Sequence, residues 1–158
     1  MDCVKIESAS TADLQALYKI ERECFSSEAF SIEELSFLIK NPNSISLMAK
    51  IGEEIAGFII GLIYNTKSEK IGHVLTLDVA KKYRRKGVAK ELMRKLEEKF
   101  REKNVKECFL EVRIDNEAAK RLYKKLGYRE IACLKDYYGN GLHGIRLKKS
   151  FSLNSMRF

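Results

Sequence analysis

Residues 74–100 constrain the fold more tightly than any other part of this chain. An apolar run from 74 to 80 reads as a buried strand. Arg84-Arg85-Lys86-Gly87-Val88-Ala89 follows, and Val88, Leu92, Met93, Leu96 and Phe100 then recur at helical spacing. A strand, a basic turn with a glycine and an amphipathic helix, in that order, set the open N–H groups of a helix start beside three cations. Those N–H groups lack partners inside the helix, and the helix dipole adds about half a positive charge there. Gly87 lets the backbone approach an anion without a Cβ in the way. The turn is therefore expected to hold phosphate. It carries neither the G-x-x-x-x-G-K-[ST] of a nucleotide P-loop nor a G-x-G-x-x-G at the strand–helix junction. The competing reading is a solvated basic turn before a surface helix. Charge alone favours it, and the small residues at 87 and 89 favour the anion site.

The 158 residues make one domain with a hydrophobic core. No apolar stretch is long enough to span a membrane, and no signal-peptide core opens the chain, so a cytoplasmic protein is expected. Cys3, Cys24, Cys108 and Cys133 lack metal-ligand spacing, so no metal site is expected. Cys108 and Cys133 fall in predicted strands and read as small core residues. Residues 81–106 hold twelve Lys or Arg and four Glu, a net +8 that equals the charge of the whole chain. That concentration suits a polyanionic ligand, although interleaved Lys and Glu also mark the exposed face of the helix.

The pattern predicts a first strand over 4–8 and a helix capped by Thr11 running to about Phe25. Ser31-Ile32-Glu33-Glu34 is a capping box for a second helix, which stops before Asn41-Pro42. Strands follow over 45–51, 55–64 and 71–79, then the long helix to about Asn104. Cys108, Leu110 and Val112 alternate with Phe109, Glu111 and Arg113 as a strand. A short helix from Glu117 ends at Gly127, and two strands over 128–134 and 143–148 flank Tyr137-Tyr138-Gly139. The order β-α-α-β-β-β-α-β-α-β-β predicts an α/β protein, one mixed sheet with helices on both faces. The domain is expected over 1–149, with a loosely held tail over 150–158.

Arg84-x-x-Gly87-x-Ala89 and Asn116-x-x-Ala119-x-x-Leu122-Tyr123-x-x-x-Gly127-Tyr128, on these elements, resemble the GNAT-type N-acetyltransferases over roughly residues 3–149. Residues 73–79, Leu110-Glu111-Val112-Arg113 and residues 134–138 resemble the branch that acetylates protein N-termini, the ribosomal-protein and archaeal enzymes. The loop over 24–30 departs from that branch in lacking its proline. The resemblance implies acetyl-CoA as cofactor. Its pyrophosphate would lie on the amides of Arg85, Lys86, Gly87, Val88, Ala89 and Lys90, with Arg84 nearby. Leu77 and Val79 would pair with the pantetheine arm through their backbone, and Asn116 and Tyr123 would also meet the cofactor. Tyr123 would sit near the sulfur as a proton donor. Asn116 also suits a helix N-cap, and Tyr123 also suits core packing. Phe25 and Glu28 would face Tyr137 and Tyr138 across a peptide groove.

Acetyl transfer to an amine needs the neutral amine. At pH 7 that costs an α-amine about 1.4 kcal/mol and a lysine roughly 4.6 kcal/mol. Glu111 with His73, acting through a water, is assigned as the base, and the apolar neighbour Phe109 is expected to raise the Glu111 pKa. Pairing with Arg113 or simple solvation are the plainer readings of Glu111. The substrate is thus expected to be a protein or peptide N-terminus. Ribosome proximity and a monomer or weak dimer are expected, and neither a specific nucleic acid nor a membrane is an expected partner. A small-molecule amine or a lysine side chain is the alternative acceptor. A basic nucleic-acid-binding module and an acyl-CoA sensor are alternatives of another class.

Overall fold

The computed structural model describes residues 3–151. The loosely held tail expected over 150–158 is corrected at its start: Ser150 ends the last strand and Phe151 is buried in the core. Residues 152–158 lie outside the described residues. Seven strands form one sheet: β1 (Val4–Ser8), β2 (Ser44–Ile51), β3 (Glu54–Asn65), β4 (Lys70–Val79), β5 (Val105–Arg113), β6 (Arg129–Leu134) and β7 (Gly144–Ser150). Their order across the sheet is β1-β2-β3-β4-β5-β7-β6. Four helices cover it: α1 (Leu14–Phe25), α2 (Ile32–Lys40), α3 (Val88–Glu102) and α4 (Glu117–Lys125). Strands β1 to β4 form an antiparallel meander, and α3 carries the chain across to β5, which pairs with β4 in parallel. The mixed sheet and the element order match the sequence expectation.

The helices divide between the two faces. Leu17 and Ile20 of α1 and Leu35 of α2 pack with Met48, Phe58 and Ile60 on one face. Val88, Leu92, Met93, Leu96 and Phe100 of α3 are all buried on the other, with Tyr123 of α4. Helix α3 can lie close because two glycines leave room for its largest side chain. A Cβ at Gly61 or Gly72 would come within 2.8 or 2.7 Å of the Phe100 ring.

Strand β4 changes face part-way along. Ile60 lies opposite Thr76 while Gly61 lies opposite Val74, so Leu75 is the extra residue of a β-bulge. The bulge resets the alternation of side chains. Val74, Leu77 and Val79 contact the α3 core, and Leu75 contacts the α1/α2 core. Just before the bulge, at His73 and Phe109, pairing between β4 and β5 ends. Strand β5 continues to Arg113, paired on its other edge with β7. The ends of β4 and β5 therefore diverge.

Local signals mark the helix starts. Ser31 and Glu34 form the expected capping box. Thr11 does not cap the first helix: it lies in a 3-10 turn, Thr11–Asp13, that Ser10 caps in a capping box with Asp13, and Asp13 is the N-cap of α1 itself. Two further expectations are corrected. Cys133 is exposed on β6, the outer strand of the sheet. Glu97 is 4% exposed instead of lying on the solvated face of α3. It accepts hydrogen bonds from Tyr128 Oη (2.9 Å) and Lys149 Nζ (2.7 Å), which tie α3 to β7. Among the described residues no helix is long and apolar enough to cross a membrane.

Replacing Gly72 with Ala should cost about 1–3 kcal/mol, since the fully buried Phe100 ring must move. Urea denaturation checks this: the midpoint should fall at unchanged m-value, and an unchanged midpoint would show that the ring has room to give.

Candidate active site

A groove of 590 Å³ opens where β4 and β5 diverge. Val74, Leu75, Thr76 and Leu77 line one wall and Leu110, Glu111, Val112 and Arg113 the other. The connection between α1 and α2 contributes Phe25 and Glu28, the β6–β7 connection contributes Tyr137 and Tyr138, and α4 contributes Asn116, Ala119 and Tyr123. The structure thus brings Phe25, Glu28, Leu77, Glu111, Asn116, Tyr123, Tyr137 and Tyr138 to one groove, whereas His73, Val79 and residues 84–90 do not line it. Arg113 ties the α1–α2 connection to β5: its guanidinium reaches Glu28 at 3.2 Å, and also Asp115, two residues on, at 3.0 Å.

The basic turn lies between β4 and α3. Arg85 and Gly87 both adopt positive φ, 63° and 80°, and Gly87 is the N-cap of α3. Alternating conformations of this kind turn successive N–H groups toward a common concavity. The first backbone donor within this start of α3 is Glu91, bonded to the Gly87 carbonyl. Among the described residues, none of the amides of residues 85–90 donates to a protein acceptor. Arg84, Arg85, Lys86 and Lys90 are exposed around them. Unpaired donors, positive helix end and cations all fit a phosphate group. Arg84 itself turns back: its Nε donates to the Val79 carbonyl at 3.1 Å, which the Cys24 thiol also approaches at 3.4 Å.

Glu111 is the centre of the acid–base cluster. Its Oε1 lies 2.7 Å from His73 Nε2, and its Oε2 accepts from Arg146 Nε at 2.9 Å. The His73 ring stacks on Phe109 with centroids 4.2 Å apart, and Arg146 lies over the same ring. The expected rise of the Glu111 pKa does not occur. Burial pushes the carboxyl up, but the hydrogen bonds and charges of His73 and Arg146 outweigh it and hold the pKa below the usual carboxylate range. Glu111 is thus an oriented carboxylate that accepts from His73 Nε2–H, paired neither with Arg113 nor with solvent alone. His73 Nδ1 is buried with no protein partner. Sequence reasoning missed Arg146, and only its place opposite Glu111 in the β5–β7 register could have revealed it.

Tyr123 is 6% exposed, and burial, then Cys108 and Asp78, push its phenol far up, so it keeps its proton at physiological pH. Asn116 is the N-cap of α4 and accepts from the Ala119 amide at 3.1 Å, while also lining the groove. Tyr137 and Tyr138 meet edge to face with ring centroids 4.9 Å apart. Gly139-Asn140-Gly141-Leu142-His143-Gly144 has the glycine spacing of a dinucleotide turn, but it leads into β7 rather than into a helix and so lacks an N-terminal dipole.

The sequence profile of the acetyltransferase (GNAT) family matches residues 14–128. An N-alpha-acetyltransferase of Sulfurisphaera tokodaii is 32% identical over 149 residues, covering 87% of this chain and 87% of its own. N-alpha-acetyltransferase 30 of Xenopus laevis is 36% identical over 123 residues, covering 77% of this chain but 45% of its own, so the chain spans less than half of that relative. Among solved structures, Ard1 of Thermoplasma volcanium superposes with a TM-score of 0.84 at 26% identity, covering 94% of this chain and 98% of that one.

Arg146→Gln should move the Glu111 titration up toward the ordinary value of about 4.3. Glu111 titrates lower folded than unfolded. Its stabilising contribution is therefore present above the ordinary range and is lost as pH falls through the lowered value. The variant should be less stable than the wild type at neutral pH, and the gap should close below about pH 4. Carboxyl NMR titration with denaturation at several pH values checks both, and an unmoved Glu111 titration would remove Arg146 from this role.

Proposed function

We propose that this chain, which belongs to the acetyltransferase (GNAT) family, transfers the acetyl group of acetyl-CoA to the α-amino group at the N-terminus of a protein or peptide. One observation carries the reading: a single groove between diverging strands has an oriented carboxylate in its wall and two loops at its sides, and the unpaired amide turn follows the same strand. Relatives named N-alpha-acetyltransferase support it.

The amides of residues 85–90, with Arg85, Lys86 and Lys90 around them, suit the pyrophosphate of acetyl-CoA. Leu77 and Val79 lie where strand pairing to β5 has ended, and a pantetheine arm would take the place of the missing strand. Bound there, acetyl-CoA supplies an activated thioester. Glu111 takes up the proton that the amine sheds, directly or through a water, with His73 and Arg146 fixing its two oxygens. Tyr123 holds a proton at Oη for the departing sulfur. Phe25 and Glu28 on one side and Tyr137 and Tyr138 on the other receive the first residues of the peptide.

The weakness of the base helps to define the acceptor. A carboxylate held below its usual pKa gains little by accepting a proton from lysine, whose deprotonation at pH 7 costs roughly 4.6 kcal/mol. The α-amine costs about 1.4 kcal/mol and needs much less help. A cytoplasmic setting, ribosome proximity and a monomeric or weakly dimeric state belong to the same proposal.

Mass spectrometry should find acetylation at the N-terminus of unblocked peptides. N-terminally blocked lysine peptides and a panel of small amines should remain unmodified, and turnover of small amines alone would overturn the reading. Two substitutions should separate binding from turnover. Gly87→Glu, which puts a side chain and a negative charge at a positive-φ position, should weaken acetyl-CoA binding about 100-fold. Glu111→Gln should lower kcat about 100-fold and leave acetyl-CoA affinity within about twofold. Calorimetry and steady-state kinetics read the two effects, and equal loss of affinity in both variants would contradict the assignment.

A further inference from the structure

Two carboxyl groups lie buried away from the acid–base cluster. Glu21 on α1 is 2% exposed and Asp78 on β4 is 0% exposed. Thr76 joins them. Its hydroxyl oxygen is 3.1 Å from Glu21 Oε1 and also hydrogen-bonds Asp78 Oδ1. A hydroxyl has one proton to give, so one of these two contacts must use a carboxyl proton. Asp78 is the group that holds it. Its Oδ2 is buried without a partner, and burial, followed by the neighbouring Glu21, pushes its pKa well above the usual range. Asp78 then donates to Thr76, and Thr76 donates to Glu21. The other Glu21 oxygen accepts the backbone N–H of Phe30 at 3.1 Å.

Both ends of this chain of hydrogen bonds bear on the groove. Phe30 closes the connection from α1 to α2 that supplies Phe25 and Glu28 to one side. Thr76 sits on β4 immediately before Leu77, and Glu21 and Thr76 themselves line the groove. The connection is short and exposed at Ser26, Ser27 and Glu28, with a positive φ of 53° at Ser26. A buried polar anchor of this kind is worth more than a surface contact, because its loss leaves desolvated groups unpaired.

We infer that Glu21 is a positioning residue for peptide capture: through Phe30 and Thr76 it fixes the α1–α2 wall of the groove against the strand that carries the cofactor. The inference rests on the peptide reading given above. It makes Glu21 responsible for the spacing of the groove and not for proton transfer.

The test compares Glu21→Ala, Glu21→Gln and Thr76→Val by peptide KM, acetyl-CoA KM and hydrogen exchange at the Phe30 amide. Glu21→Ala should raise the peptide KM about tenfold, leave the acetyl-CoA KM within about twofold, and speed exchange at Phe30. Glu21→Gln keeps an acceptor for the Phe30 N–H, and its peptide KM should return to within about threefold of wild type. Thr76→Val, close in shape to the native residue, should raise the peptide KM about threefold and carries the test if Glu21→Ala does not fold. An unchanged peptide KM with unchanged Phe30 exchange overturns the inference, as does an acetyl-CoA KM that rises in step with the peptide KM. If the wild-type enzyme turns over small amines alone, the peptide reading fails, and Phe30 exchange still decides whether Glu21 holds the loop.

Discussion

The structure depends on where β4 and β5 stop pairing. A parallel pair satisfies backbone groups along its length, and here the pairing ends at His73 and Phe109 while both strands continue. The bulge at Leu75 bends and twists β4 at that point. The divergence leaves a strand edge inside the protein, opens a groove beside it, and points β4 toward the turn at residues 84–89. Had β4 and β5 paired to their ends, Glu111 and Tyr123 would face a closed sheet. On its other edge β5 stays paired with β7 from Glu107 to Arg113. That pairing puts Arg146 opposite Glu111 and sets the charge state of the groove wall.

Most of the fold was legible in the sequence because its signals are local. The period of Val88, Leu92, Met93, Leu96 and Phe100 gave the buried face of α3, and Ser31 with Glu34 gave the start of α2. The site was legible where its residues sit on such elements: Gly87 at a helix start, Asn116 at another, Glu111 on a regular strand. The misses concern partners distant in sequence. Phe109 suggested an apolar setting for Glu111, whereas His73 and Arg146 arrive from strands on either side and reverse the shift. Glu97 reads as one more charge on a solvated helix until Tyr128 and Lys149 close over it. Cys133 alternates correctly for a strand, but β6 is an outer strand and its side is open to solvent. Burial and pairing across the sheet decide these cases, and periodicity does not report them.

The positive charge of the chain divides into two kinds. Along α3, Arg94 pairs with Glu91, Lys95 with Glu98 and Lys99 with Glu102, which makes this stretch an ordinary solvated helix face. Exposed pairs of this sort contribute little to stability. Ahead of the helix, Arg85 and Lys86 stand beside six unpaired amides. There the charges act together with directed donors, and the two effects add in one place. A polyanion bound along the helix would have to compete with glutamates at every turn. A compact phosphate group at the turn would not. The geometry therefore favours a small phosphorylated ligand over nucleic acid as the reason for the basic cluster.

In the proposed reading, the groove and Glu111 as base would impose a joint condition on the acceptor amine. Glu111 is held as a carboxylate by two partners, so it is well oriented and weakly basic. Raising its basicity would require the loss of Arg146 or His73, and the orientation would be lost with them. An enzyme built this way gains rate by placing an amine that is already substantially neutral, since correct placement can be worth more than proton abstraction. An α-amine at a chain end meets that condition near neutral pH, and it can enter between two loops without an internal segment having to bend. Lysine fails on the first count by more than two pKa units, whatever the shape of the groove. In that reading, proton affinity and groove shape would select the same acceptor for separate reasons. A change in the loops alone would alter which N-termini are accepted before it altered the kind of amine.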